Sequence, residues 1–125
     1  MKVLVADDSR IFRVLVRELL QEKGATVLEA ADGKEALDTA LAQRPDLLIL
    51  DALMPRLSGF EVLAKLKEKL PTYRPKVFVV TAVYKSYRWA SEAKSVYQVD
   101  EYLEKPVEPE TLLAAMRRHF PEASF

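Results

Sequence analysis

The chain contains no cysteine, one histidine, three glycines and no surplus of either charge, and each shortage removes a class of function. Without thiols there is no disulfide framework, no thiolate nucleophile and no thiolate metal site. The single imidazole, His119, falls in a predicted terminal helix, where no Ser-His-Asp set can be assembled around it. No glycine-rich cradle for a cofactor phosphate follows the first strand. Lys and Arg total 19, as do Asp and Glu, so the formal net charge is zero. A nucleic-acid module usually carries a basic excess or stripe. Only Arg117-Arg118-His119 hints at one, and cations at a helix C-terminus are favoured by its dipole. The longest apolar stretches, such as Leu47–Leu50, are far too short to span a bilayer, and the N-terminus opens on a strand pattern without a signal-peptide layout. These absences predict a cytoplasmic protein that binds neither membrane nor nucleic acid directly.

What remains is compact. Half of the 125 residues are hydrophobic and 30% are charged. That length and composition predict one domain over residues 1–125 with a single core. Lys2–Ala6 reads as a strand, and Ser9 caps a helix with Ile11, Leu15 and Leu19 on one stripe, closed by Gly24. Thr26–Ala30 is a second strand. Asp32-Gly33-Lys34-Glu35 then opens a helix that runs to about Gln43 and stops before Pro45. Leu47–Leu50 is apolar throughout, as in a strand covered on both faces. Ser58-Gly59-Phe60-Glu61 is a second capping box, starting a helix with Phe60, Leu63 and Leu66/Leu70 inward. Val77–Val80 is a fourth strand, Tyr84–Tyr97 a helix with a thin apolar face, and Glu101–Leu103 a fifth strand. Pro109 suits the first turn of a last helix with Leu112/Leu113, Met116 and Phe120 on its stripe. Strand and helix alternating five times imply a parallel sheet with right-handed crossovers.

The polar residues that follow these strands form a pattern. Asp7 and Asp8 follow the first strand, Asp51 the third, Thr81 the fourth and Lys105 the fifth. In one parallel sheet all five converge at its carboxyl edge, where open α/β folds bind ligands. Carboxylates packed closely resist joint ionisation without a cation, so the group is a candidate for metal-assisted phosphoryl chemistry. The bland alternatives are helix capping for the acids and ordinary strand-end placement for Thr81.

V-L-V-A-D-D-S at residues 3–9, D-A-L-M-P-R-L-S-G at 51–59, T-A at 81–82 and Y-L-E-K-P at 102–106 together resemble the receiver domain of two-component response regulators. Each element is weak alone; in order, at the right strand ends, they reinforce one another. The resemblance covers essentially the whole chain. It implies a flavodoxin-like (βα)5 three-layer sandwich with strand order 2-1-3-4-5. It makes Asp51 the phosphoacceptor, with Asp8, Asp51 and the backbone carbonyl of Leu53 holding Mg²⁺ (or Mn²⁺) and Asp7 supporting the ion directly or through water. Lys105 would bind a phosphoryl oxygen and pair with Asp51 beforehand. Thr81 would be the switch hydroxyl, Ala82 would leave a path for the phosphodonor, and Tyr102 would be the switch aromatic. The Lys105-Pro106 bond would be cis.

The same resemblance implies partners and an output. The donor would be the phosphohistidine of a sensor histidine kinase or histidine phosphotransfer protein. The output would be an effector protein contacting the surface of the predicted fourth helix, fifth strand and last helix. The chain would be a phosphoacceptor that assists its own phosphorylation and slow autodephosphorylation rather than a turnover enzyme. It would exist as a monomer or a weak phosphorylation-dependent dimer.

Three departures from the family pattern stand out. Leu53 and Val83, two residues after Asp51 and Thr81, are both apolar, which predicts poor placement of a hydrolytic water and a long-lived phosphoaspartate. Tyr97-Gln98-Val99 stands where the family has Ala-Gly-Ala, which predicts a reshaped loop. Tyr84, Tyr87, Trp89 and Tyr97 crowd one region, either as partly buried rings or as partner-binding anchors. Two further functions stay open: an excised receiver from a longer transcription factor or enzyme, and a flavodoxin-like ligand binder. The acids flanking Asp51 speak against the second, since they repel an anionic phosphate.

Overall fold

A computed structural model describes residues 1–82 and 98–125. The predicted helix over 84–97, and with it Val83, Tyr84, Tyr87, Trp89 and Tyr97, lies outside the described residues. Among those described, five strands alternate with four helices. The strands are β1 (Lys2–Ala6), β2 (Thr26–Ala30), β3 (Leu47–Asp51), β4 (Lys76–Thr81) and β5 (Glu101–Glu104). The helices are α1 (Arg10–Glu22), α2 (Gly33–Gln43), α3 (Gly59–Lys69) and α4 (Pro109–His119). All strand pairings are parallel, as the alternation predicts, in the order β2-β1-β3-β4-β5 that the resemblance implies.

Alternation along the strands divides the core into two layers. Leu4, Leu48, Leu50, Val77 and Val79 face Ala36, Leu37 and Ala40 of α2 and Val62, Leu63 and Leu66 of α3. Val3, Val5, Leu47, Ile49, Phe78 and Val80 face Val16 and Leu20 of α1 and Leu112, Leu113 and Met116 of α4. With helices on both faces, β3 is buried along its whole length, which is why Leu47–Leu50 shows no polar alternation. No helix among the described residues is long and apolar enough to cross a membrane.

Local chemistry sets the helix starts. The Ser9 hydroxyl accepts from the Phe12 amide and the Asp32 carboxylate from the Glu35 amide. At α3 both halves of the Ser58–Glu61 capping box are present. Pro109 occupies the first turn of α4. The basic cluster in the last turn of α4 is engaged in pairs: Arg118 and His119 with Glu101 at 2.8 and 3.0 Å, and Arg117 with Glu110.

The structure corrects two helix faces. On α1 the inward stripe is Val16 and Leu20, flanked by Phe12 and Leu19, whereas Ile11 is 76% and Leu15 60% exposed. A 3.6-residue period admits two neighbouring stripes here, and the helix is rotated by about one position from the predicted one. On α3, Val62 joins Leu63 and Leu66 in the core, while Phe60 packs only at its border. Gln98 has φ of 57°, so the residue standing in the family's glycine position keeps the left-handed backbone that glycine favours.

Candidate functional site

Strand register brings the polar residues together. Ala6 pairs with Leu50, so Asp7 and Asp51 emerge side by side; Thr81 pairs with Glu104, so Lys105 leaves the sheet one residue beyond Thr81. The Lys105 amide donates to the Thr81 carbonyl at 3.0 Å, extending the β4–β5 ladder to the site itself. The Lys105-Pro106 bond is cis, as the resemblance implies.

Asp7, Asp8 and Asp51 each present a carboxylate oxygen within 4.8 Å of the others. Asp7 is 0% exposed, Asp51 is buried and Asp8 is open to solvent. Asp7 is fixed three ways: its Oδ1 accepts from the Ser9 amide at 2.8 Å, its Oδ2 from the Lys105 ammonium at 2.6 Å, and its amide donates to the Ala30 carbonyl. Lys105 Nζ also reaches Asp51 Oδ2 at 3.3 Å. The ammonium therefore bridges two acids and sits closer to Asp7, a pairing that sequence reasoning had assigned to Asp51 alone. The ammonium also lies over the Phe12 ring, with Nζ 4.6 Å from the ring centre.

These contacts set the protonation balance. Burial pushes the Asp51 carboxyl up from its ordinary value; the Leu53 amide, donating to Asp51 Oδ1 at 3.0 Å, and the Lys105 ammonium oppose this, while Asp7 adds to it. Burial disfavours the charged form of Lys105, but its contacts with Asp7 and Asp51 outweigh this and raise it above its ordinary value. Among the described residues, an acidic group bridged by the Lys105 ammonium results.

The donors are hard carboxylate oxygens on a rigid sheet edge, one of them solvent-facing, and this chemistry suits Mg²⁺, which binds one or two carboxylates and keeps several waters. Asp7, Asp8 and Asp51 are the residues that could hold it. Thr81, buried at the end of β4, borders the same edge, whereas Tyr102, half-buried on β5, stands two residues further back, opposite Val79. Leu53 is 58% exposed immediately after the site.

Sequence reasoning missed several supporting residues. Arg13 donates to the Asp7 carbonyl and pairs with Glu29, as does Arg17. The signal was a lone acid in the otherwise apolar β2 beside two arginines spaced i, i+4 on α1. Gly33 and Gly59 were read as parts of caps, whereas both permit close backbone approaches around the Asp51 loop.

The family model for the response regulator receiver domain matches residues 3–117, and the chain belongs to that family. Response regulator MprA of Mycobacterium avium (strain 104) is 42% identical over 121 residues, covering 94% of this chain and 50% of the relative. The chain thus spans about half the length of the curated relatives it matches. Among solved structures, the chemotaxis response regulator CheY4 of Vibrio cholerae superposes with a TM-score of 0.84 at 36% identity, covering 94% of this chain and 96% of that one. A DNA-binding response regulator of the LuxR family from Staphylococcus aureus gives a TM-score of 0.81 at 28% identity, covering 94% and 96%. The flavodoxin-like fold and the receiver identity follow. Receiver domains generally bind Mg²⁺ at an acidic site, and Asp7, Asp8 and Asp51 form such a group here.

Proposed function

We propose that Asp51 accepts a phosphoryl group from the phosphohistidine of a histidine kinase or phosphotransfer protein, and that the gained charge switches a protein-binding surface. The observation that carries this reading is the placement of the Asp51 carboxylate between Lys105, 3.3 Å away, and two further acids within 4.8 Å. A carboxylate oxygen of Asp51 attacks phosphorus; the P–N bond to the donor imidazole breaks, and its electron pair returns to that ring. Lys105 exchanges its contact with Asp51 for a phosphoryl oxygen and holds it as a point charge. The Leu53 amide keeps the attacking carboxylate oriented. Asp7, Asp8 and Asp51, with the Leu53 carbonyl, would hold Mg²⁺, which supplies charge neutralisation at the transferring oxygens.

The product carries close to two negative charges and three acceptor oxygens beside Thr81. Thr81 hydrogen-bonds to the new group, Tyr102 turns with it, and the surface formed by β5 and α4 changes for an effector protein. A near-complete switch needs about 5.5 kcal/mol of differential stabilisation between the two arrangements. In this reading the chain is a phosphoacceptor rather than a turnover enzyme. Its half-length match to the MprA relatives and its end-to-end match to CheY4 support two settings, the receiver of a longer regulator and a stand-alone one; the full gene sequence separates them.

Intact-mass measurement after incubation with acetyl phosphate and Mg²⁺ tests the acceptor. One phosphoryl adduct on the native chain and none on Asp51→Asn is the expected result. An unchanged mass for the native chain, or full labelling of Asp51→Asn, overturns the assignment.

A further inference from the structure

Gly33 opens α2, and its amide donates to the Pro55 carbonyl at 3.1 Å. A β-carbon built on Gly33 would lie 1.9 Å from the Leu57 carbonyl oxygen and 2.5 Å from the Leu57 β-carbon. Non-bonded atoms do not approach that closely, so any side chain here displaces the loop or the helix. Beside it Asp32, the α2 cap, holds Arg56 at 3.8 Å. Three consecutive loop residues, 55–57, therefore rest on the cap and the first residue of α2.

That loop meets Asp51 at both of its ends. At one end the Leu53 amide donates to Asp51 Oδ1 at 3.0 Å. At the other, the Gly59 amide donates to the Ala52 carbonyl at 3.0 Å, and a β-carbon on Gly59 would fall 2.6 Å from the Asp51 carbonyl oxygen. Loop 52–58 is thus spanned between the Asp51 backbone and the N-terminus of α2, with no side chain at either glycine contact.

We propose that Gly33 is a positioning residue for the Asp51 site: its missing side chain lets α2 seat loop 52–58 where the Leu53 amide meets the Asp51 carboxylate. It touches neither ion nor phosphoryl group and acts through Pro55 and Leu57. The inference rests on reading the acidic cluster as a divalent-cation and phosphoryl site. A purely structural role would make Gly33 matter for stability alone, whereas a positioning role ties it to ion affinity.

Titration of the native protein with Mg²⁺, without phosphodonor, followed by ¹H–¹⁵N spectra of the backbone amides, tests this first. The amides of Asp8, Leu53 and Gly33 are expected to shift along one saturation curve, while that of Ala40, farther along α2, stays in place. Calorimetry then compares two variants. Gly33→Ala is expected to weaken Mg²⁺ binding about 10-fold, the lower range for loss of a ligand-orienting contact. Ala40→Gly, which loosens α2 without touching the loop, is expected to stay within about twofold of native affinity. A Gly33 amide that stays still while Leu53 shifts, or native Mg²⁺ affinity in Gly33→Ala, overturns the proposal. If no amide moves with Mg²⁺, the metal reading falls and the proposal falls with it. Should Gly33→Ala not fold, the native titration decides.

Discussion

Replacing Asp51 by Asn should stabilise the metal-free protein. At an effective dielectric of about 20, the repulsion between Asp51 and Asp7, at up to 4.8 Å, is about 3.5 kcal/mol, and the attraction to Lys105 at 3.3 Å is about 5 kcal/mol. Lys105 is already committed to Asp7 at 2.6 Å, and Asp8 adds a water-screened repulsion, so the pairwise terms nearly offset. Burial of an ionised carboxylate then sets the sign, consistent with the raised Asp51 pKa. Asparagine keeps an oxygen for the Leu53 amide while removing the charge. The expected result at neutral pH in EDTA is a higher Tm for the variant, each kcal/mol of gain appearing as about 4 °C for a chain of this size. The pH dependence has a definite sign. Because folding raises the Asp51 pKa, ionisation costs stability above the folded value, and the cost vanishes below the unfolded value near 3.8. The gap between variant and native protein should therefore close as pH falls through the carboxylate range. Saturating Mg²⁺ should stabilise the native chain more than the variant. Thermal unfolding across pH, with and without Mg²⁺, is the assay. A less stable variant at pH 7 in EDTA, or a gap indifferent to pH, refutes the reasoning.

Other perturbations probe different parts of the molecule. Gly59→Ala should cost about 1–3 kcal/mol by overpacking against the Asp51 carbonyl and should slow acetyl-phosphate labelling as well, read by urea unfolding and intact mass. Leu20→Ala should cost about 2–5 kcal/mol while Ile11→Ala stays within about 0.5 kcal/mol, because of these two only Leu20 is buried; equal losses would contradict the observed stripe. The phosphoaspartate should persist for minutes or longer, since Leu53 offers no polar group to seat a water, and Leu53→Asn should shorten its life when decay is followed by mass; a native half-life of seconds would count against this.

Much of this architecture was legible because the determining chemistry is local. Apolar runs ending in Asp7, Asp51 and Thr81, and caps at Ser9, Asp32 and Ser58, specify strands, turns and order without any tertiary information. What escaped depends on distances between elements. The choice between the Ile11–Leu15 and Val16–Leu20 stripes is made by how α1 seats on β1 and β2, which period alone leaves undetermined. The preference of Lys105 for Asp7 arises from the extra reach past β5, and the roles of Gly33 and Gly59 from what lies opposite them. A glycine in a capping motif looks the same whether or not a carbonyl stands 1.9 Å from its absent β-carbon.

The ion pair between Lys105 and Asp7 joins residues 98 positions apart in the chain. Pairing of β1 with β3 places Asp7 beside Asp51, whereas the ammonium that both share lies just past β5. The contact between the two acids is thus set by neighbouring strands, and its neutralisation by Lys105 depends on a strand two places further along the sheet. The charge balance of the acidic group is in this sense a checkpoint on assembly: it is complete only when the β5 edge of the sheet is joined, through β4 and β3, to β1.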